Sequence, residues 1–357
     1  MGARLRVVLD QLTHAVHADH ASAASDLTVA LIATAPAGCD VEAIVPAGVD
    51  VRIPGLSEVR RLSLGRRELA ASWQLGIVPG VGGGLIHSPT LMAPLVRHDR
   101  LHDLDQTTVT LWDLQAWEEP DSLPKAVVAW QRAMVKRAVK HADAVVVPSH
   151  AVGARLAEIA KLSGRIRVIP GAAPSGLVMP LDARARRAAL SLTEGYVVLT
   201  GSAHSLEHGF RAAVASGRDA VVLDAPEGSE PRLADVAAAA GLPQARAHIR
   251  GTLSTDDRAA VFAGASAMVA TNPHAAWPWR AVEAMTLGVP VVAVDSGAHH
   301  DVIADGGAVV ASTDIAEAVV DAVGDGARRL SVLGADRSRS FSWLGAAERV
   351  WGLHADL

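Results

Sequence analysis

The chain carries one cysteine, Cys39, in 357 residues. A single thiol excludes an internal disulfide and any cysteine-based zinc cluster, and a cytosolic address fits best. Lysine is also scarce: Lys125, Lys136, Lys140 and Lys161 are the whole set. Beyond residue 161 no lysine is available to meet a phosphate. Long apolar runs are missing too. None approaches the ~18 uninterrupted residues of a membrane span, and the N-terminal run in "MGARLRVVLDQLTHAV" is too short for a signal peptide. No P-loop, Ser-His-Asp order or zinc spacing occurs, and "GVGGG" at 80–84 lacks the following helix that a dinucleotide fingerprint demands.

What is present is a large potential core. Half of the residues are apolar and 20% are charged, a composition that folds. The net charge of −5 gives no whole-chain attraction to nucleic acid or anionic membrane. The length is comfortable for two domains.

Short β-branched runs alternate with longer alanine-rich stretches of helical period, the pattern of βα units around a parallel sheet. The first half offers "LRVVL", "VEAIVP", "LIHSP", "VTLWD", "AVVVPS" and "RVIP"; the second offers "YVVLTG", "AVVLDA", "HIRG", "AMVAT", "VPVVAVD" and "GAVVA". Between them "GAAPSGLVMPLD" has no period and reads as a linker. The expected organisation is therefore a Rossmann-like domain over 1–172, a linker over 173–182, a second Rossmann-like domain over 183–335 and a C-terminal helix within 336–357. That helix, amphipathic through Trp343, Ala347, Val350 and Trp351, can pack back on the first domain. Open α/β sheets place ligands outside the carboxyl ends of their strands, so function is expected in the loops there, with the two doubly wound sheets facing a cleft.

Those loops carry a resemblance. "IHSPTLMAPL", "TVTLWDL" with Pro120, "HADAVVVPS", "IRVIPGAAP", "HIRGTLSTDDRAAVFAGASAMVATNP" and above all "VEAMTLGVPVVAVDSGAHHDVI" are similar, in order, to segments of the retaining family-four GT-B glycosyltransferases (glycosyl transferases group 1). The resemblance implies transfer of a hexose from a nucleotide-diphosphate sugar to a glycan, lipid or small-molecule acceptor. It implies no cofactor and no metal. Glu283 would hold the ribose, a role its chemistry suits, since a carboxylate can accept from two vicinal hydroxyls. Ile249, Arg250 and Leu253 would line the base. Gly201, Ser202, His204, Trp277, Trp279 and Arg280 would surround the diphosphate and sugar, helped by the helix start near Arg280. On the acceptor side would stand Asp10, His14, His17 and Trp112, with Asp113 and His87 as the catalytic candidates.

The family's charged apparatus is largely replaced. Ala275 stands where the sugar-orienting carboxylate belongs, Leu206 and Glu207 where an Arg-Lys pair neutralises the diphosphate, and Trp112 where the strand carries histidine. One charge-stabilising donor commonly supplies about 10²–10³ in rate, so these losses matter unless His204, His208 or Arg280 compensates. Two readings follow: a divergent transferase, or a silent transferase-like protein that binds a nucleotide or glycan or scaffolds an active partner.

Two further patterns have a functional and a bland reading. His14, His17 and His20 are spaced by three, but the first and third point ~120° apart on a helix; a polar loop on the acceptor side explains them better than a metal. Arg60, Arg61, Arg66 and Arg67, with Leu62, Leu69 and Trp73, either form a solvated face or dock peripherally on the inner face of an anionic membrane.

Overall fold

The computed structural model describes residues 3–12, 17–78, 80–99 and 104–357. His14 lies outside the described residues. The chain divides into two units, one of residues 1–171 with 342–357 and the other of residues 172–341.

In the first unit the order is β1 (Arg4–Val8), α1 (Ala18–Ala33), β2 (Asp40–Val45), β3 (Glu58–Arg61), α2 (Arg66–Leu75), β4 (Leu85–Ser88), β5 (Gln106–Thr110), α3 (Gln115–Glu118), α4 (Lys125–His141), β6 (Ala144–Val147), α5 (His150–Ile159) and β7 (Ile166–Val168). All seven strands are parallel, in the order β3-β2-β1-β4-β5-β6-β7. The apolar runs read from sequence supply its centre: Leu5, Val7, Val109 and Val147 have no exposed surface.

The second unit runs α6 (Ala183–Ala189), β8 (Tyr196–Thr200), α7 (Leu206–Ala215), β9 (Ala220–Val222), α8 (Glu230–Ala239), β10 (Ala247–Ile249), α9 (Thr255–Gly264), β11 (Ala265–Ala270), α10 (Trp279–Thr286), β12 (Val291–Val294), α11 (Gly297–Val302), β13 (Ala308–Val310), α12 (Ile315–Val323) and α13 (Ala327–Ser338). Its six parallel strands lie in the order β10-β9-β8-β11-β12-β13. Val197, Leu199, Phe210, Val269 and Val292 form the middle of its core.

Both sheets are doubly wound. Winding reverses between β1 and β4 in the first and between β8 and β11 in the second, so these pairs open the crevices where α/β sheets take ligands. No helix among the described residues is long and apolar enough to cross a membrane.

The basic segment does not fold as one face. Glu58–Arg61 pairs in parallel with β2 as the edge strand β3, while Arg66 and Arg67 open α2 after Gly65, which adopts the extended conformation of a helix cap. Arg60 donates to the carbonyl of Val81 at 3.1 Å, and Arg66 turns inward to Asp10. Trp73 and Leu69 are core residues. The tryptophan that would anchor a membrane face is thus consumed by packing.

The last helix, α14 (Trp343–Asp356), belongs to the first unit and lies against α1. Ser342 caps it, accepting from Gly345 N–H at 3.0 Å. Trp343, Ala347, Val350 and Trp351 are buried, and the Trp351 indole donates to Leu31 O at 3.1 Å. His354 then reaches the sheet. Its Nδ1 lies 2.8 Å from Gln106 Oε1 and its Nε2 3.2 Å from Thr108 Oγ1. The same hydroxyl is 2.8 Å from His87 Nδ1.

His87 is thereby removed from the catalytic candidates. It is fully buried, edge-on to the His354 ring at 6.1 Å, between the sheet and the last helix. Burial and the neighbouring His354 bring its pKa down to about 3, and burial brings His354 down to about 4. Both rings fold neutral and protonate near 6.5 once unfolded. Their contribution to stability is present above that value and is lost as pH falls toward 4, by about 1.4 kcal/mol per pH unit for each ring. The free energy of urea unfolding, followed from pH 7 to pH 4.5, should fall steeply for the native chain, and His354→Gln should remove one ring's share of that fall, about 1.4 kcal/mol per pH unit. An unchanged slope would contradict the assignment.

Candidate functional site

At the β1/β4 crevice the first unit contains a cavity of about 590 Å³. Its floor comes from residues just beyond β1, β4 and β5, and its walls are α2 and α4. Asp10, one residue past the loop's first position after β1, is 2% exposed. It accepts from Arg66 at 2.9 and 3.0 Å and from Thr90 Oγ1 at 3.0 Å, tying β1, β4 and α2 together. Burial pushes the Asp10 carboxyl above the usual range, against the pull of Arg66 and Thr90.

Trp112 follows β5 and donates its indole N–H to Pro89 O at 2.8 Å. His20, in the first turn of α1, is stacked near it at 6.2 Å between ring centroids, and His17 stacks on His20 at 4.3 Å. Burial and the charge of His17 hold His20 well below its ordinary pKa, so it is a neutral ring. Asp113 accepts from Gln115 N–H at 3.0 Å; burial raises its pKa, partly offset by that bond and by His17. The structure thus brings together Asp10, His17, His20, Trp112 and Asp113, and it adds Arg66 and Trp130, which sequence reasoning did not place there. Among the described residues no group of three or more metal-ligating side chains forms.

The second unit's crevice lies between β8 and β11. Gly201 follows β8, and a Cβ there would collide with the hydroxyls of Thr271 and Ser205, so glycine is required by close approach. Thr271 Oγ1 donates to Thr200 O at 3.0 Å and Ser205 N–H donates to Ser202 Oγ at 3.3 Å. His204 is exposed in this loop. Leu206 is core, and Glu207 pairs with Arg211 on the surface. Beyond β11, His274 N–H donates to Asn272 Oδ1 at 2.9 Å and sets the turn that carries Ala275. Trp277 is buried, with Trp279 and Phe341 edge-on to it at 6.2 and 5.3 Å. Ile249 and Leu253 are half-buried, and Arg250 donates to Leu190 O at 2.5 Å.

Glu283 and Arg280 meet each other. Arg280 Nη1 donates to Glu283 Oε1 at 2.6 Å and its Nε donates to Asp224 Oδ2 at 2.7 Å. Arg258 grips the same carboxylate, Nη2 to Oε1 at 2.9 Å and Nε to Oε2 at 3.1 Å, and donates to Leu253 O at 2.8 Å. Both Glu283 oxygens are therefore engaged by guanidinium groups, with Glu283 1% and Arg280 5% exposed. Asp224 takes part from a left-handed backbone position, φ 58°. Sequence reading put Glu283 at the ribose and Arg280 at the diphosphate; their pairing with each other, and with Arg258 and Asp224, was not foreseen.

Breaking one member of a buried ion network leaves an uncompensated charge, which costs about 3–5 kcal/mol. Glu283→Ala should therefore lower the urea-unfolding free energy by that order, while Arg211→Ala at the exposed pair should cost under ~1 kcal/mol. Similar losses for the two variants would contradict the network's role.

A family model described as "Glycosyl transferases group 1" matches residues 208–326, inside the second unit. No curated protein sequence matches the chain. Among solved structures, HepE from Anabaena in complex with UDP and glucose is 18% identical, with 99% of this chain and 100% of that one covered and a TM-score of 0.70. Sucrose-phosphate synthase from Thermosynechococcus elongatus is 20% identical, covers 99% and 98%, and has a TM-score of 0.67. The N-terminal domain of trehalose-6-phosphate phosphatase from Candida albicans is 11% identical over 100% and 99%, with a TM-score of 0.66. The chain has the GT-B fold of two doubly wound parallel-sheet units, and a stretch of its second unit is similar to the family described as glycosyl transferases group 1.

Proposed function

We propose that the chain is a glycosyltransferase that moves a hexose from a nucleotide-diphosphate sugar to an acceptor, without a metal and with retention at the anomeric carbon. The observation that carries this reading is the 208–326 match, which begins within α7, past the loop after β8, and covers β9 to β13 and the buried Glu283. The donor would lie along Gly201, Ser202 and His204, with Trp277 and Trp279 beside the sugar, and the acceptor would occupy the cavity of the first unit. In the reaction the acceptor oxygen bonds to the anomeric carbon as the bond from that carbon to the diphosphate oxygen breaks. The hydroxyl proton leaves with the nucleoside diphosphate. Asp113 and the neutral His20 would orient the hydroxyl, so that the rate comes from positioning and charge stabilisation.

One observation favours the second reading, a protein that holds its ligand without turnover. Arg280 is the remaining arginine of the donor loop, and it is held by Asp224 and Glu283. To reach a diphosphate it would have to leave two carboxylates. Fold alone does not decide between the readings, because one fold hosts many chemistries.

A thermal-shift panel of nucleoside diphosphates and their sugars separates these cases. Donor binding should raise Tm, and Ser202→Ala with His204→Ala should reduce that shift without lowering the Tm of the free protein. No shift across the panel would sink the transferase reading. Where a donor binds, release of free sugar from it in the absence of acceptor marks the enzyme, and binding without release marks the silent form.

A further inference from the structure

The cavity of the first unit is built for a particular class of molecule. Its volume, about 590 Å³, falls within the roughly 300–1,000 Å³ of small-molecule pockets. Met92, Leu111, Leu123 and Val127 line it together with Trp112 and Trp130. The two tryptophans have their N–H groups engaged elsewhere: Trp112 donates to Pro89 O at 2.8 Å and Trp130 to Ala70 O at 3.3 Å. They present ring surface to the space between them and the strands.

Part of the polar lining is already satisfied by protein, although the Oε1 of Gln131 on α4 is buried without a hydrogen-bond partner among the described residues. Arg66 and Thr90 take up both oxygens of Asp10. Gln115 donates to Ser122 Oγ at 3.0 Å, and Gln11 accepts the His17 N–H at 3.2 Å. A hexose entering such a space would bring several hydroxyls, each costing about 1–3 kcal/mol if it lost water without gaining a partner. A ring or alkyl chain has no such cost there and gains about 25 cal/mol per Å² of apolar surface removed from water. One hydroxyl is accommodated, at the end where Asp113 and His20 lie beside Trp112.

We propose that the acceptor seated in this cavity is an apolar molecule bearing a hydroxyl, an aryl or alkyl alcohol, and not a sugar. The inference rests on the transferase reading, and it names the acceptor class for the site that reading assigns to the first unit. Recognition is by aromatic and aliphatic contact along Trp112, Trp130, Leu111, Leu123 and Val127.

The test uses the full chain and needs no donor. Calorimetric titration with 2-naphthol should show saturable binding, and titration with maltose should show none. Ala71 on α2 and Ala126 on α4 line the cavity and are exposed, so a larger side chain at either can fill the space without disturbing the core. Ala71→Trp and Ala126→Trp should each weaken 2-naphthol binding at least ~10-fold, equivalent to about 1.4 kcal/mol, with an unchanged melting temperature. Maltose binding that the same substitutions abolish would overturn the proposal. So would the absence of 2-naphthol binding, or 2-naphthol binding that neither substitution weakens. The nucleotide-sugar panel reports on the second unit alone. Its failure would sink the transferase reading while leaving the cavity's preference measurable, so the two failures are distinguishable.

Discussion

One buried carboxylate organises the ligand end of the second unit. Glu283 on α10 is held by Arg258 of α9 and by Arg280 one turn before it, and through them it is linked to Leu253 after β10 and Asp224 after β9. Two guanidinium groups against two carboxylates compensate in formal charge, which is the condition for keeping ions out of water. The constraint works in both directions. It fixes four chain segments to one another at the carboxyl side of the sheet, and it withdraws the side chains that sequence would have assigned to a nucleotide. An arginine can be a diphosphate fork or a structural counter-ion; Arg280 is positioned as the second.

The first unit meets the same problem with fewer charges. Asp10, Thr90 and Arg66 close the bottom of the β1/β4 crevice with hydrogen bonds that satisfy one another. Above them Met92, Leu123, Val127 and Trp130 supply apolar wall, with Arg67, Gln74 and Gln131 among them. Several polar groups in both units are thus directed at the protein. The two crevices, topologically alike, differ in what they can recognise. The first is a cavity with ring faces; the second is a set of hydroxyls and backbone around a glycine that cannot be enlarged.

Most of the fold was legible because parallel strands buried on both faces write themselves as short apolar runs. Every such run from "LRVVL" to "GAVVA" lies on a strand or its edge. The strand that escaped, Glu58–Arg61, is an edge with two arginines and a glutamate, and its pairing with β2 outweighs its composition. Asp10, Trp112 and Asp113, named from the resemblance, stand just past strands of the first sheet and line one cavity. Site residues were illegible where partners come from far along the chain. Arg258 is 25 residues from Glu283, and His354 meets Thr108, itself bonded to His87, across 246 residues. His87 looked catalytic because it ends a strand, yet its side chain falls on the face that the last helix covers.

That covering helix makes the first unit discontinuous in the chain, with the whole of residues 172–341 between its sheet and its final element. During synthesis the ribosome completes the second unit before α14 emerges. Until then the face of α1 that accepts Trp351, and the strand surface carrying His87 and Thr108, have no lid. The cover of the first sheet is therefore complete only once residues 343–356 have been synthesised, after all of the second unit.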